Sequence, residues 1–150
     1  PIVIPGDNPL LDIGTSQTST LASLAYAKEV YLQMHPQWDN SWTASDTYVD
    51  VEGSINSIDF VDWLFHNWYF EMIGKTDGGT GSYKLVNTTL SADVTGSEIT
   101  TTSTTIVRIR SGSMTKPTGV NTVKIQHKQT GGLGTDNVNS VMSRSVFRVG

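Results

Sequence analysis

Residues 68–73, with the sequence WYFEMI, decide the fold class, because aromatic and β-branched side chains in close succession favour a strand over a helix. Residues 46–52, DTYVDVE, alternate with the period of two that is typical of a half-buried strand. Further strand candidates, separated by turn residues, follow at 83–94, 99–110, 119–128 and 141–149. Together these segments predict a mainly β protein, an antiparallel β-sandwich, and among sandwiches a jelly roll.

Three segments between the strand candidates are interpreted by their turn residues. Residues 60–68, FVDWLFHNW, fit either a strand or a short helical turn, and the sequence leaves both open. Two Gly-rich stretches, DGGTGS at 77–82 and TGGLGTDN at 130–137, lack the glycine spacing and the following helix of a dinucleotide-binding loop. We expect them to be hairpin loops.

The first twenty residues predict an extended arm. Pro1, Pro5 and Pro9 each fix φ and remove an amide donor, so a regular element is not expected there. The arm carries more aliphatic surface than a disordered tail normally shows, and we expect it to lie against an apolar surface of this chain or of another. The residues predicted to anchor it are Ile2, Val3, Ile4, Leu10, Leu11 and Ile13.

One α-helix is predicted after the arm, over residues 20–34, TLASLAYAKEVYLQM. Ser19 or Thr20 can cap it, leucines recur near helical spacing, and Pro36 ends it. The predicted organisation is therefore an arm plus helix at residues 1–36 and a β-sandwich domain at residues 37–150.

Composition limits the function classes. A chain of 150 residues is long enough for one domain with a single core, it contains no cysteine, and no apolar run is long enough to span a membrane. Ten acidic and two basic residues give residues 1–75 a net charge of −8, whereas residues 76–150 carry +4. This asymmetry suits head-to-tail packing between copies, or pairing of the two halves within one fold.

No catalytic or cofactor motif is complete. The GKT at 74–76 lacks the upstream glycine of a phosphate loop, and His35, His66 and His127 are scattered without the spacing of metal ligands. Asp59 and Asp62 could form a carboxylate pair for glycoside hydrolysis, but an enzyme is the weaker interpretation. We expect a non-enzymatic protein without cofactor or metal.

Basic and aromatic residues indicate binding surfaces. Arg108 and Arg110 share one strand face, as do Lys124 and Lys128, but no aromatics interleave with them, so no nucleic-acid partner is expected. The tryptophans could instead form a stacking platform for a glycan, or belong to a core or a subunit interface. These residues are Trp38, Trp42, Trp63 and Trp68.

The C-terminal sequence resembles a known group of structural proteins. Residues 108–132, RIRSGSMTKPTGVNTVKIQHKQTGG, and 140–150, SVMSRSVFRVG, are similar to the closing strands of jelly-roll domains in tailed-bacteriophage virion proteins. The resemblance implies a capsid decoration, or cement, protein in the phage particle, assembled in the host cytoplasm. Such a protein would form a homo-oligomer, as a trimer, and fasten to the major capsid protein or another virion protein through its arm. The alternative is a tail-fibre, receptor-binding or carbohydrate-binding β-sandwich module that uses exposed tryptophans.

Overall fold

The computed structural model describes residues 29–35 and 41–149. The predicted arm and the first part of the predicted helix lie outside these residues. Within them there is no helix with the length and hydrophobicity that a membrane span requires. The described residues form eleven strands: β1 Glu29–His35, β2 Ser41–Thr43, β3 Val49–Asp50, β4 Asn56–Asp59, β5 His66–Thr76, β6 Thr80–Asn87, β7 Ala92–Asp93, β8 Ile99–Thr101, β9 Val107–Arg110, β10 Val120–Thr130 and β11 Val138–Val149.

The strands form two sheets in which every pair is antiparallel. In sheet A, β11 pairs with β5 on one side and with β1 and β2 on the other, and β5 pairs with β9. In sheet B, β10 pairs with β6 on one side and with β3 and β4 on the other, and β6 also pairs with β7 and β8. The first and last of the described strands, β1 and β11, are neighbours in sheet A. The two antiparallel sheets form a sandwich, which agrees with the predicted mainly β, antiparallel β-sandwich.

The predicted helix is wrong over residues 29–34, which form most of β1. Val30, Leu32 and Met34 alternate with three polar-tipped side chains, so the segment also has the period of two. Pairing with β11 satisfies its backbone and buries Met34, and this tertiary gain outweighs the helical propensity of the sequence. β1 precedes the predicted domain boundary at residue 36 and is nevertheless an edge strand of the sandwich.

Most predicted strands are present with different ends. Residues 68–73 lie inside the eleven-residue β5, and the open segment resolves into a turn at residues 60–65 followed by strand from His66. Residues 119–128 and 141–149 correspond to β10 and β11. The two long candidates at 83–94 and 99–110 are each interrupted: the first folds back as the paired strands β6 and β7 of sheet B, and the second passes from β8 in sheet B to β9 in sheet A.

The core lies between the sheets and is built by alternation along the long strands. Sheet A contributes Trp68, Phe70 and Met72, all fully buried, and sheet B contributes residues such as Tyr83 and Ile125. At about 25 cal/mol per Å² of buried apolar surface, these large side chains dominate the favourable free energy of folding.

The two Gly-rich stretches form turns, but each joins a strand of one sheet to a strand of the other. Residues 77–79 connect β5 to β6, and residues 131–137 connect β10 to β11. They are therefore arches over the end of the sandwich rather than hairpins within a sheet. Gly79 has a φ of 62°, and a side chain there would overlap the backbone of the facing arch.

Candidate binding face on sheet A

The outer face of sheet A, which points away from the core, gathers aromatic and charged side chains from five strands. Register places Tyr31 of β1 and Tyr69 of β5 on either side of Val146 of β11. One row along, Arg144 lies beside Glu71, which in turn lies beside Arg110 of β9. We define this face by Glu29, Tyr31, Trp42, Tyr69, Glu71, Arg108, Arg110, Arg144 and Arg148.

A buried carboxylate organises the face. Glu71 is only 1% exposed, although it points away from the core. Arg110 donates from Nε to its Oε2 at 2.9 Å, and Arg144 donates from Nε to its Oε1 at 2.5 Å. Both carboxylate oxygens are thereby paired by charge-assisted hydrogen bonds from two different strands. The pairing fixes the two guanidinium groups in place across the middle of the sheet.

A second carboxylate extends this network to the sheet edge. Arg110 donates from its terminal nitrogens to both oxygens of Glu29, at 2.8 and 3.2 Å. These bonds, and that from the Tyr31 hydroxyl at 2.5 Å, lower the pKa of Glu29 to about 2. The hydrogen bonds that Arg110 donates to Glu29 and to Glu71 raise the pKa of Arg110 above its ordinary value. Glu29 and Arg110 are therefore both ionised at neutral pH.

The two tyrosine rings are held by arginines and remain accessible. Tyr31 is 46% exposed, and the Arg144 guanidinium carbon lies 3.9 Å from its ring centroid. Tyr69 is half-buried, with Arg110 at 5.9 Å from its ring. Val146 between them is fully buried. The rings are thus fixed by cation–π contacts and by a shared apolar floor.

Trp42 is the exposed aromatic at the other end of the face. It is 65% exposed on β2, in register with Asn139, which is in register with Lys75. At about 3.3 Å per residue, the seven positions along β11 from Asn139 to Val146 put Trp42 roughly 20 Å from the tyrosine row. The face is therefore long enough for an extended ligand.

The other predicted tryptophans are not on this face. Trp68 is fully buried and donates from Nε1 to Ser145 Oγ at 3.0 Å, so it cannot stack on a ligand in this fold. Trp63 is half-buried and stacks on Phe147 with ring centroids 4.4 Å apart. Trp38 lies outside the described residues, as do the six anchor residues predicted in the arm.

Sequence reasoning did not identify the tyrosines and glutamates of the face. The signal for them is the alternation of Glu29, Tyr31 and Gln33 with apolar residues. It lies within residues 20–34, whose spacing and composition predict a helix. The prediction that Arg108 and Arg110 share a face is confirmed, since both point outward from β9. Their partners on β1 and β11 could not be named without the register of the sheet.

Other candidate chemistry is dispersed. Asp59 and Asp62 are both exposed, and Asp59 Oδ1 accepts a hydrogen bond from the Val61 amide at 3.0 Å, which is a turn contact. Within the part of the chain that the structure describes, no three His, Asp or Glu side chains converge as metal ligands. His66 is buried, and desolvation followed by the nearby Lys116 charge lowers its pKa, so it is neutral at pH 7.

The turn at residues 60–65 forms a second surface feature, at the end of the sandwich opposite the Gly-rich arches. We call it the apex loop. Phe65 is 87% exposed there, and Val61 and Leu64 are exposed beside it. Lys116 Nζ donates to the carbonyl oxygens of Trp63 and Leu64 and holds the turn in shape. The apex loop is therefore an ordered apolar projection.

Comparisons with known proteins yield only distant likenesses of fold. No protein-family model and no curated protein sequence matches this chain. Among solved structures, it is similar to a carbohydrate-binding module CBM36 in complex with calcium and xylotriose, at 13% identity and a TM-score of 0.47, over 78% of this chain and 97% of that one. It is also similar to the CBM36-1 domain of a multidomain xylanase from the hindgut metagenome of Trinervitermes trinervoides, at 8% identity and a TM-score of 0.46, over 78% and 95% of the two chains. At these values the likenesses say nothing about what this chain binds.

Proposed function

We propose that this chain is a non-catalytic β-sandwich module that binds carbohydrate on the outer face of sheet A. The observation that carries the proposal is the row in which Tyr31 and Tyr69 flank a buried valine, next to arginines held by Glu71. Aromatic rings and charged groups are held there by contacts within the sheet before any ligand arrives. Such preorganisation lowers the entropic cost of binding.

The chemistry of the face matches a sugar. One side of a pyranose ring presents C–H groups that pack on an aromatic ring, while its hydroxyls require donors and acceptors at the rim. Tyr31, Tyr69 and Trp42 offer apolar platforms, and the guanidinium groups on the same face offer polar partners. The roughly 20 Å separation of the platforms suits an oligosaccharide of several units rather than a monosaccharide.

A binding role without catalysis is part of the same proposal. The carboxylates on the face, Glu29 and Glu71, are both committed to arginines. A general acid or a nucleophile in glycoside hydrolysis needs a carboxyl group that can exchange a proton or attack carbon, and neither carboxyl is placed to do so.

Substitution of the tyrosines tests the proposal. The wild-type chain and the variants Tyr31→Ala and Tyr69→Ala are screened on an array of plant, microbial and animal glycans, and hits are measured by calorimetry. Tyr48→Ala is the matched control, because Tyr48 lies on the outer face of sheet B between Lys84 and Lys128, whose Nζ atoms are 4.3 and 4.5 Å from its ring. We expect each sheet A variant to weaken binding at least tenfold and the control to leave it unchanged. Equal loss in all three variants would contradict the assignment of the face.

A second candidate is the attachment role implied by the virion resemblance, and the apex loop favours it. An ordered apolar projection such as Phe65 is expected to be covered by a protein partner in an assembly. Phe65→Ser should then abolish co-sedimentation with undecorated phage capsids. Leu133→Ser, an exposed leucine on the opposite arch, is the control and should retain it. If both variants still co-sediment with the capsids, the apex loop no longer supports an attachment role.

A further inference from the structure

The outer face of sheet A is more positive than the chain that carries it. Four arginines lie on it, Arg108, Arg110, Arg144 and Arg148, against the two glutamates Glu29 and Glu71. The whole chain has a net charge of −4. Half of the basic residues in the positive C-terminal half are thus concentrated on this one surface. A local excess of two positive charges attracts anions within about one Debye length.

Two of the four arginines are occupied within the fold. Arg110 donates hydrogen bonds to Glu29 and Glu71. Arg144 donates from Nε to Glu71, and its guanidinium group lies over the ring of Tyr31. These contacts neutralise both glutamates. The occupied arginines therefore position the tyrosine rings, and their charge is already balanced.

The other two arginines, Arg108 and Arg148, have N–H groups that are available to a ligand. The Arg108 side chain is 62% exposed, and its Nε lies 3.9 Å from Glu71 Oε2, beyond hydrogen-bond distance. Arg148 is exposed on the other side of the tyrosine row from Arg108, in register with Glu29, whose oxygens are taken by Arg110 and Tyr31. Neither arginine donates a hydrogen bond to any residue that the structure describes. Both guanidinium groups can receive an anionic group of a ligand on the tyrosine row.

We infer that the carbohydrate bound on the outer face of sheet A is acidic, with carboxylate or sulfate groups that pair with Arg108 and Arg148. This inference rests on the proposed function. A guanidinium group matches the planar pair of oxygens of a carboxylate and also two oxygens of a sulfate, in both cases through two parallel hydrogen bonds. A neutral glycan would form neither of these charge-assisted pairs.

The test uses ligands that differ only in charge. Calorimetry measures the affinity of the full chain for an oligogalacturonate and for the same oligomer fully methyl-esterified, and, as a second arm, for a sulfated galactan oligomer and its desulfated form. We expect the charged form in at least one arm to bind about tenfold or more tightly. Which arm responds distinguishes carboxylate from sulfate. The preference should diminish between about 0.1 and 1 M NaCl, because salt screens the pairs.

Substitutions test whether Arg108 and Arg148 cause the tighter binding of the charged oligomers. In Arg108→Gln combined with Arg148→Gln, the charged and uncharged oligomers should bind with equal affinity. Lys128→Gln, which removes a cation from the outer face of sheet B, should keep the full preference.

The two possible failures are distinct. If the chain binds neutral glycans as tightly as acidic ones, and Tyr31→Ala abolishes both, the carbohydrate function stands and the acidic specificity is wrong. If no glycan binds at all, the proposed function fails and the inference fails with it.

Discussion

Arg110 and Glu71 lie 39 residues apart in sequence, stand in register on β9 and β5, and are joined by a hydrogen bond of 2.9 Å between Nε and Oε2. The pair lies on the outward side of the sheet, yet Glu71 is buried. Glu71 is buried because neighbouring side chains, among them Arg110 and Arg144, surround its carboxylate. This relationship ties the shape of the outer face to the stability of the whole sheet.

Replacement of Glu71 by Gln should therefore destabilise the fold. The substitution leaves Arg110 and Arg144 without the carboxylate that compensates them, and removing one partner of a buried ion cluster costs about 3 kcal/mol. Urea unfolding followed by tryptophan fluorescence measures the loss. The control is Glu52→Gln, an exposed glutamate on a turn, which should change the free energy of unfolding by less than about 0.5 kcal/mol. Equal effects in the two variants would show that the cluster contributes no stability.

Glu29 should make the fold sensitive to acid. Its pKa in the folded protein is about 2 against an ordinary value of 4.5, mainly because Arg110 donates to its carboxylate. Below pH 4.5 the unfolded chain binds the proton more readily than the folded one. The stabilisation from Glu29 is therefore complete above pH 4.5 and is lost as the pH falls toward 2.

Urea unfolding across this pH range, in wild type and in Glu29→Gln, measures that contribution. The difference in stability between the two proteins should be largest above pH 4.5 and should shrink toward pH 2. A difference that does not vary with pH would contradict the role of the ionised carboxylate.

Gly74 should not tolerate a side chain. It lies on the inner side of β5, and an added Cβ would overlap the Asn139 carbonyl oxygen and the Tyr83 hydroxyl, which are themselves joined by a hydrogen bond of 2.8 Å. Gly74→Ala should lower the free energy of unfolding by about 1–3 kcal/mol, because the two sheets must separate locally. Gly134→Ala is the matched control, since a Cβ there meets no atom within 4 Å. Thermal unfolding of both variants checks the contrast.

The buried amide pair of Asn87 and Asn121 should be coupled. Asn87 Nδ2 donates to Asn121 Oδ1 at 3.0 Å, and Asn121 Nδ2 donates to the Thr118 carbonyl oxygen at 2.9 Å. Asn121→Ala leaves the Asn87 amide buried without this acceptor and should cost about 1–3 kcal/mol. A double-mutant cycle with Asn87→Ala isolates the shared part. If the two losses are additive, the pair contributes no interaction energy of its own.

The sequence predicts the long strands but not the face. β5, β10 and β11 are recognisable because they alternate over many residues in a single environment. β1 contains leucine, methionine and glutamine, which favour helices, and its strand conformation depends on pairing with β11, more than a hundred residues away. The sequence of β1 alone does not show that it pairs with β11.

The same reason explains which site residues were found. Arg108 and Arg110 lie on one strand, so their shared side follows from spacing alone. Tyr31 and Tyr69 come together only because β11 lies between their strands. The exposure of a tryptophan is also not a local property, as the contrast between Trp42 and Trp68 shows.

The most direct test of the carbohydrate-binding face is a calorimetric titration of the wild-type chain and of the Tyr31→Ala, Tyr69→Ala double variant with the best glycan from an array, after thermal unfolding has shown that the variant is folded. We predict saturable binding to the wild type and none to the folded double variant. Undiminished binding to the folded double variant would contradict the account.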